Sequence, residues 1–153
     1  MTSVTLLKDL VTFVTQSLSD YQYRDSQGEL KSIQVKDGYL KVREDGDDED
    51  FPYVLIRLGK GKSEYEEANV EVHFFVGVLD KDVDNGYISC LNIIDRIRHD
   101  LQATPFVADM YEVRPPFNWE MAEKETYPLW FGMLSCIFTI GNITNAETLV
   151  NDL

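Results

Sequence analysis

The sequence predicts an α+β fold, a mostly antiparallel β-sheet packed against an N-terminal helix and a central helix. Three observations carry this reading. A leading segment repeats its apolar residues at helical spacing, residues 68–101 run from an apolar strand through one acidic loop into an amphipathic helix, and residues 129–140 form a second long apolar strand.

The first helix starts at Thr2 or Ser3, either of which can cap it, and Leu6, Leu7, Leu10, Val11, Phe13, Val14 and Leu18 give it one buried face ending near Ser19 or Asp20. Two short extended segments follow, 32–35 and 39–42, separated by Lys36-Asp37-Gly38. The Asp-Gly pair is a tight-turn signal, so they read as a small hairpin. Residues 44–50, EDGDDED, place six carboxylates in seven positions and are expected to form a solvated loop. Residues 51–58, FPYVLIRL, resume as a strand, and 59–67 link it to the next as a long, charged hairpin tip.

Along Val70, Val72, Phe74, Val76 and Val78 one strand face is wholly apolar. The other face, with Phe75 and Leu79 beside Glu71 and His73, is only partly apolar and calls for a covering surface of its own. The central helix is expected over 86–101, lying across the sheet with Ile88, Leu91, Ile94, Ile97 and Leu101 on its buried stripe. Pro105 stops it, 110–114 can form a strand, and Pro115-Pro116 should end that strand because proline supplies no ladder donor. Residues 111–130, dense in aromatics and prolines, then make an ordered excursion. The strand at 129–140 is apolar on both faces. Residues 1–142 therefore read as a single α+β domain and 143–153 as a polar C-terminal tail.

With 44% hydrophobic residues in 153, the chain can build a real core. Its 27 acidic and 14 basic residues give a net charge of -13, which repels phosphate backbones and anionic membranes, so sequence-specific nucleic-acid or membrane binding is not expected. The first residues, MTSVTLLKDLVTFV, lack a basic leader, and no apolar run approaches the ~20 residues that span a bilayer, which predicts a cytosol-like compartment. Cys90 and Cys136 sit among apolar neighbours and read as buried thiols.

Patterns that suggest chemistry lose to plainer readings. Gly61-Lys62-Ser63 follows a strand, as a phosphate loop would. The earlier glycine position is held by Ile56, however, and glutamates and a strand follow instead of a helix. Asp80, Asp82 and Asp84 alternate like the start of an EF-hand loop, but the glycine and glutamate positions hold Asn85 and Leu91. Asp84 or Asn85 capping the central helix is the simpler account. His73 and His99 have no ligand-like spacing to a cysteine or to each other, and His99 is expected to favour the negative end of its helix. No nucleophile elbow or dinucleotide fingerprint is present, so no catalytic, cofactor or metal residues are expected.

A strand, helix and strand closing on Trp119 and then Tyr127-Pro128-Leu129-Trp130-Phe131-Gly132 resembles the tail terminator and tail completion proteins of long-tailed bacteriophages, especially those of Gram-positive hosts. The resemblance covers roughly residues 1–140 and rests on size, element order, the N-terminal helix and the Tyr-Pro start of the last strand. It implies a virion assembly subunit forming a homo-oligomeric ring, commonly hexameric, at the head-proximal end of the tail tube. Its partners would be the tail tube protein and the head-tail connector or stopper protein. Candidate subunit or partner contacts are Lys60, Lys62, Glu64 and Tyr65 on the charged tip, with Phe117 and Trp119. Two other readings remain. An acidic module binding a basic partner is motivated by the charge and EDGDDED, and a metal-dependent hydrolase by Asp80, Asp82 and Asp84.

Overall fold

The computed structural model describes residues 2–24, 28–40 and 51–141. The expected acidic loop at 44–50, the polar tail at 143–153 and the end of the second hairpin segment at 41–42 lie outside the described residues.

Helix α1 (Ser3–Ser17) begins on Thr2, whose hydroxyl accepts from the Thr5 amide at 3.1 Å while the Thr5 hydroxyl accepts from the Thr2 amide at 2.9 Å. This reciprocal cap satisfies two orphan donors of the first turn. Leu6, Leu10 and Val14, spaced by one helical turn, are fully buried. Two short strands, β1 (Tyr23–Arg24) and β2 (Leu30–Lys31), pair with each other as a small separate sheet among the described residues.

The main sheet has six strands in the order β3 (Gln34–Asp37), β4 (Tyr53–Ser63), β5 (Glu67–Leu79), β8 (Leu129–Gly141), β7 (Tyr111–Met121) and β6 (Phe106–Val107). All neighbours are antiparallel except β3 and β4, which run parallel. The expected hairpin of 32–35 with 39–42 is thereby corrected. Gly38 sits at φ +85°, where glycine turns the chain without strain, and its amide donates to the Ile56 carbonyl at 3.0 Å. The first segment spends its ladder on β4, placing Val35 beside Val54 on the core side. Residues 39 and 40 belong to no strand.

Helix α2 (Gly86–Ala103) packs across β8, β5 and β7, while α1 packs against β3 and β4 on the same side of the sheet. Its buried stripe differs from the expected one. Ile94, Ile97 and Leu101 are buried as predicted, but Cys90 and Ile93 join them, Leu91 is half-buried, and Ile88 is 40% exposed. The cause is Gly86, buried against the Trp130 indole where a side chain would collide, which sets the helix's rotation at its first residue. Asn85 occupies the cap position without a side-chain cap bond. Asp82 instead closes the turn just before the helix, its Oδ1 accepting from the Asp84 and Asn85 amides at 3.1 Å each. His99 lies before the last turn, with its Nε2 3.2 Å from Arg98 Nη2, so the expected helix-end role falls away.

Two further expectations are corrected along the strands. β4 runs on to Ser63 through a register shift between Leu58 and Gly61, so the long charged tip shrinks to a turn closed by the Glu64 amide donating to the Glu67 carbonyl at 2.7 Å. β7 does not stop at Pro115-Pro116 but continues to Met121. The prolines fall inside a second register shift, between Arg114 and Asn118, where no ladder bond to β8 is needed. The predicted excursion after Tyr111 is therefore a strand, and only the turn before β8 leaves the sheet.

Candidate subunit interface

Strand alternation and the pairing registers define two sheet faces. On one, Val70, Val72, Phe74, Val76 and Val78 join Leu134, Cys136 and Phe138 and the buried stripes of both helices in one core cluster. On the other, Tyr53 and Leu55 are buried, and Phe75, Leu79, Phe131, Met133 and Ile137 are half-buried with no helix over them among the described residues. Phe51 packs its ring 5.1 Å from Tyr53 and 6.0 Å from Phe131. Arg57 lies between the rings of Tyr39 and Phe75, at 4.0 and 4.6 Å from their centroids.

Polar groups border this apolar centre in pairs. His73 Nε2 is 2.7 Å from Glu71 Oε1, with its ring stacked on Phe75. Arg114 bridges Glu67 at 3.0 Å and Glu112 at 3.2 Å, and these carboxylates push the guanidinium's pKa further up. The Thr139 hydroxyl donates to Asn69 Oδ1 at 2.8 Å. The face is an apolar strip with a polar margin, the composition of a contact surface.

A cleft of about 400 Å³ opens at the end of the sheet where β7 turns into β8, between Val83 and Tyr87 on one side and Tyr127 and Trp130 on the other. Trp130 Nε1 donates to the Asp80 carbonyl at 2.8 Å and the Tyr127 hydroxyl to the Lys81 carbonyl at 2.9 Å. These two aromatics hold the start of β8 against the β5–α2 connection. Behind the same turn a second hollow of about 550 Å³ reaches Phe75, Phe131 and Met133.

The predicted contact residues divide into two groups. Lys60 and Lys62 are exposed on β4, Lys62 pairs with Glu64 at 2.9 Å, and Tyr65 stands 72% exposed on the turn beyond them. The hydrogen bond and charge of Glu64 raise the Lys62 pKa. Phe117 and Trp119 lie on β7, with β5 and β8 between them and β4. Phe117 packs against the core, while Trp119 is 47% exposed on the helix side, its ring 4.6 Å from the Arg98 guanidinium carbon. The fold therefore does not gather the six into one patch. Sequence reasoning missed the centre of the open face, Phe131 and Met133. Their signal was the apolar character of residues 129–140 on both faces.

Asp80 and Asp82 accept from backbone amides, and the described residues contain no group of three or more His, Cys, Asp or Glu that could hold a metal ion. Burial pushes the Cys90 and Cys136 thiols up to about 12, and both are free. No helix among the described residues is long and apolar enough to cross a membrane. No family model matches the chain, and no curated protein matches it.

Proposed function

We propose that the protein is a structural subunit of a long-tailed phage or prophage tail, a terminator-like part that self-associates into a ring, caps the tail tube, stops its growth and joins the tail to the head connector. Its place is the tail or neck of the virion, assembled in the host cytoplasm. One observation carries the reading: the face opposite both helices is an apolar strip along β4, β5 and β8, centred on Phe75, Phe131 and Met133. Apolar residues left incompletely covered in a contiguous strip favour association with another surface. The resemblance over residues 1–140 points to the same kind of partner, a neighbouring subunit or the tube end.

Size-exclusion chromatography with light scattering, with and without tail tube protein, tests this reading. A closed oligomer, alone or on the tube end, is expected together with tubes of uniform length. A strictly monomeric protein that leaves tube length unregulated overturns it.

A further inference from the structure

We infer that neighbouring copies join edge to edge, β3 of one beside β7 of the next, in the register that sets Lys36 against Glu120. The inference rests on the ring reading above and names the contact that would close it.

One cross-strand row on the open face runs Lys36, Leu55, Phe75, Met133, Glu120, each residue directly paired with the next across β3, β4, β5, β8 and β7. A cation ends the row at one edge and a carboxylate ends it at the other. Both are exposed, and neither has an ion-pair partner among the described residues. At the usual strand spacing the two lie about 19 Å apart across four strand intervals, too far to pair within one chain. The row is completed only by another copy.

The strand directions suit that completion. β3 runs with β4, and β4, β5, β8 and β7 alternate from there, so β7 is antiparallel to β3. A copy displaced sideways along the sheet presents one edge to the other as an antiparallel pair, and the three-apolar-residue centre of the row repeats in each subunit. The adjoining row on the helix side ends on Asp37 at one edge and on Trp119 at the other, so the same contact covers the exposed Trp119 indole. β6 leaves this part of β7 open, because it pairs only with Tyr111 and Glu112.

The charges also select against the wrong pairings. Two β3 edges would bring lysine to lysine and two β7 edges glutamate to glutamate, so a symmetric dimer is disfavoured on either side. Only the unlike edges attract. A contact between two different patches repeats around an axis and closes a ring where its rotation closes, whereas a symmetric contact stops at two copies.

The test is a disulfide. The double variant Lys36→Cys/Glu120→Cys places the introduced cysteines in directly opposed positions of adjacent copies, within the Cα separation a disulfide spans. The buried native thiols do not compete. Mild oxidation of the double variant should give a ladder of covalent oligomers under denaturing conditions, and each single variant should give none. In parallel, Glu120→Lys should weaken association about tenfold, and adding Lys36→Glu should restore it. A wild-type oligomer that forms no ladder and ignores both charge changes would overturn this contact and leave the ring reading standing. Dimers from either single variant would overturn the head-to-tail geometry. A wild-type chain that stays monomeric with tail tube protein present would sink both.

Discussion

Phe74 and Phe75 are adjacent in the chain, identical in chemistry and opposite in circumstance. Phe74 points into the layer shared with α1 and α2 and is fully buried, while Phe75 points to the helix-free face and is half-buried between Leu55 and Met133. The same alternation that builds a core on one side displays an apolar strip on the other. A strand packed on one layer needs apolar residues on one face, so apolar residues on both faces call for a second covering surface.

The largest expected effect separates the two faces at this pair. Phe74→Ala should lower stability by about 3–5 kcal/mol, because it removes a fully buried ring and leaves a cavity under the helices. Phe75→Ala should cost less in the monomer, about 2 kcal/mol, since part of its surface is already wet, yet it should weaken association with the tube end through the open strip. Urea midpoints at low protein concentration measure the first effect and light scattering at high concentration with tail tube protein the second. Equal stability losses with unchanged association would erase the distinction between the faces.

Gly132 sharpens the helix-side half. A Cβ built there would stand 2.7 Å from Ile94 Cδ1, 3.0 Å from Met121 Sδ and 3.1 Å from Cys90 Sγ, three contacts converging from α2 and β7. The nearest atom is the free end of the Ile94 side chain, which can give way in part, so Gly132→Ala should cost about 1 kcal/mol by overpacking. An unchanged urea midpoint would mean that α2 rides loosely on the sheet.

These positions also show what the chain discloses before folding. The alternation from Val70 to Val78 and the apolar spacing of α1 were legible because each is a local period facing one surface. The rotation of α2 was not, since Ile88 and Leu91 fit a helical stripe as well as Cys90 and Ile93 do. The choice was made by Trp130, a distant residue seated against Gly86. β7 was misread at Pro115-Pro116 because a proline's cost depends on whether its position faces a ladder partner, which register decides and composition does not. The parallel pairing of β3 was hidden for a similar reason, as Asp37-Gly38 signals a turn without naming the strand that receives it. Of the candidate contacts, exposure at Tyr65 followed from its place on the charged tip, whereas that of Trp119 depends on the strand β7 that the prolines concealed. The pairing of Lys36 with the Glu120 row requires the registers of four strand pairs.

The thiols probe the covered face through pH. Cys90 on α2 and Cys136 on β8 both face the helix layer, and burial raises each from an ordinary 9.0 to about 12. Between those values the unfolded chain releases protons that the folded chain keeps, so their contribution is intact below pH 9 and is lost as pH rises toward 12. By pH 10 the loss should be about 1 kcal/mol per thiol. Tyr21, also raised by burial, acts in the same direction from its ordinary 10.0 upward. Urea midpoints from pH 8 to 11 should fall, and Cys90→Ala/Cys136→Ala should flatten the fall below pH 10. A slope unaffected by removing both thiols would show that water reaches this layer.

The smallest effect belongs to Tyr111, where α1 meets β7. Its ring is fully buried, and its hydroxyl lies 2.7 Å from Thr5 Oγ1, the residue that also closes the helix cap with Thr2. Tyr111→Phe keeps the ring in place and removes one hydrogen bond. Thr5 keeps its bonds to Thr2 and, being exposed, can take water in exchange, so the cost should be about 0.5–1 kcal/mol. Because the change lies wholly on the helix side, urea unfolding should register it while the light-scattering mass stays that of wild type. If instead Tyr111→Phe altered association, the two faces would be coupled through the sheet, and the open strip could not be treated as a surface independent of the core that supports it.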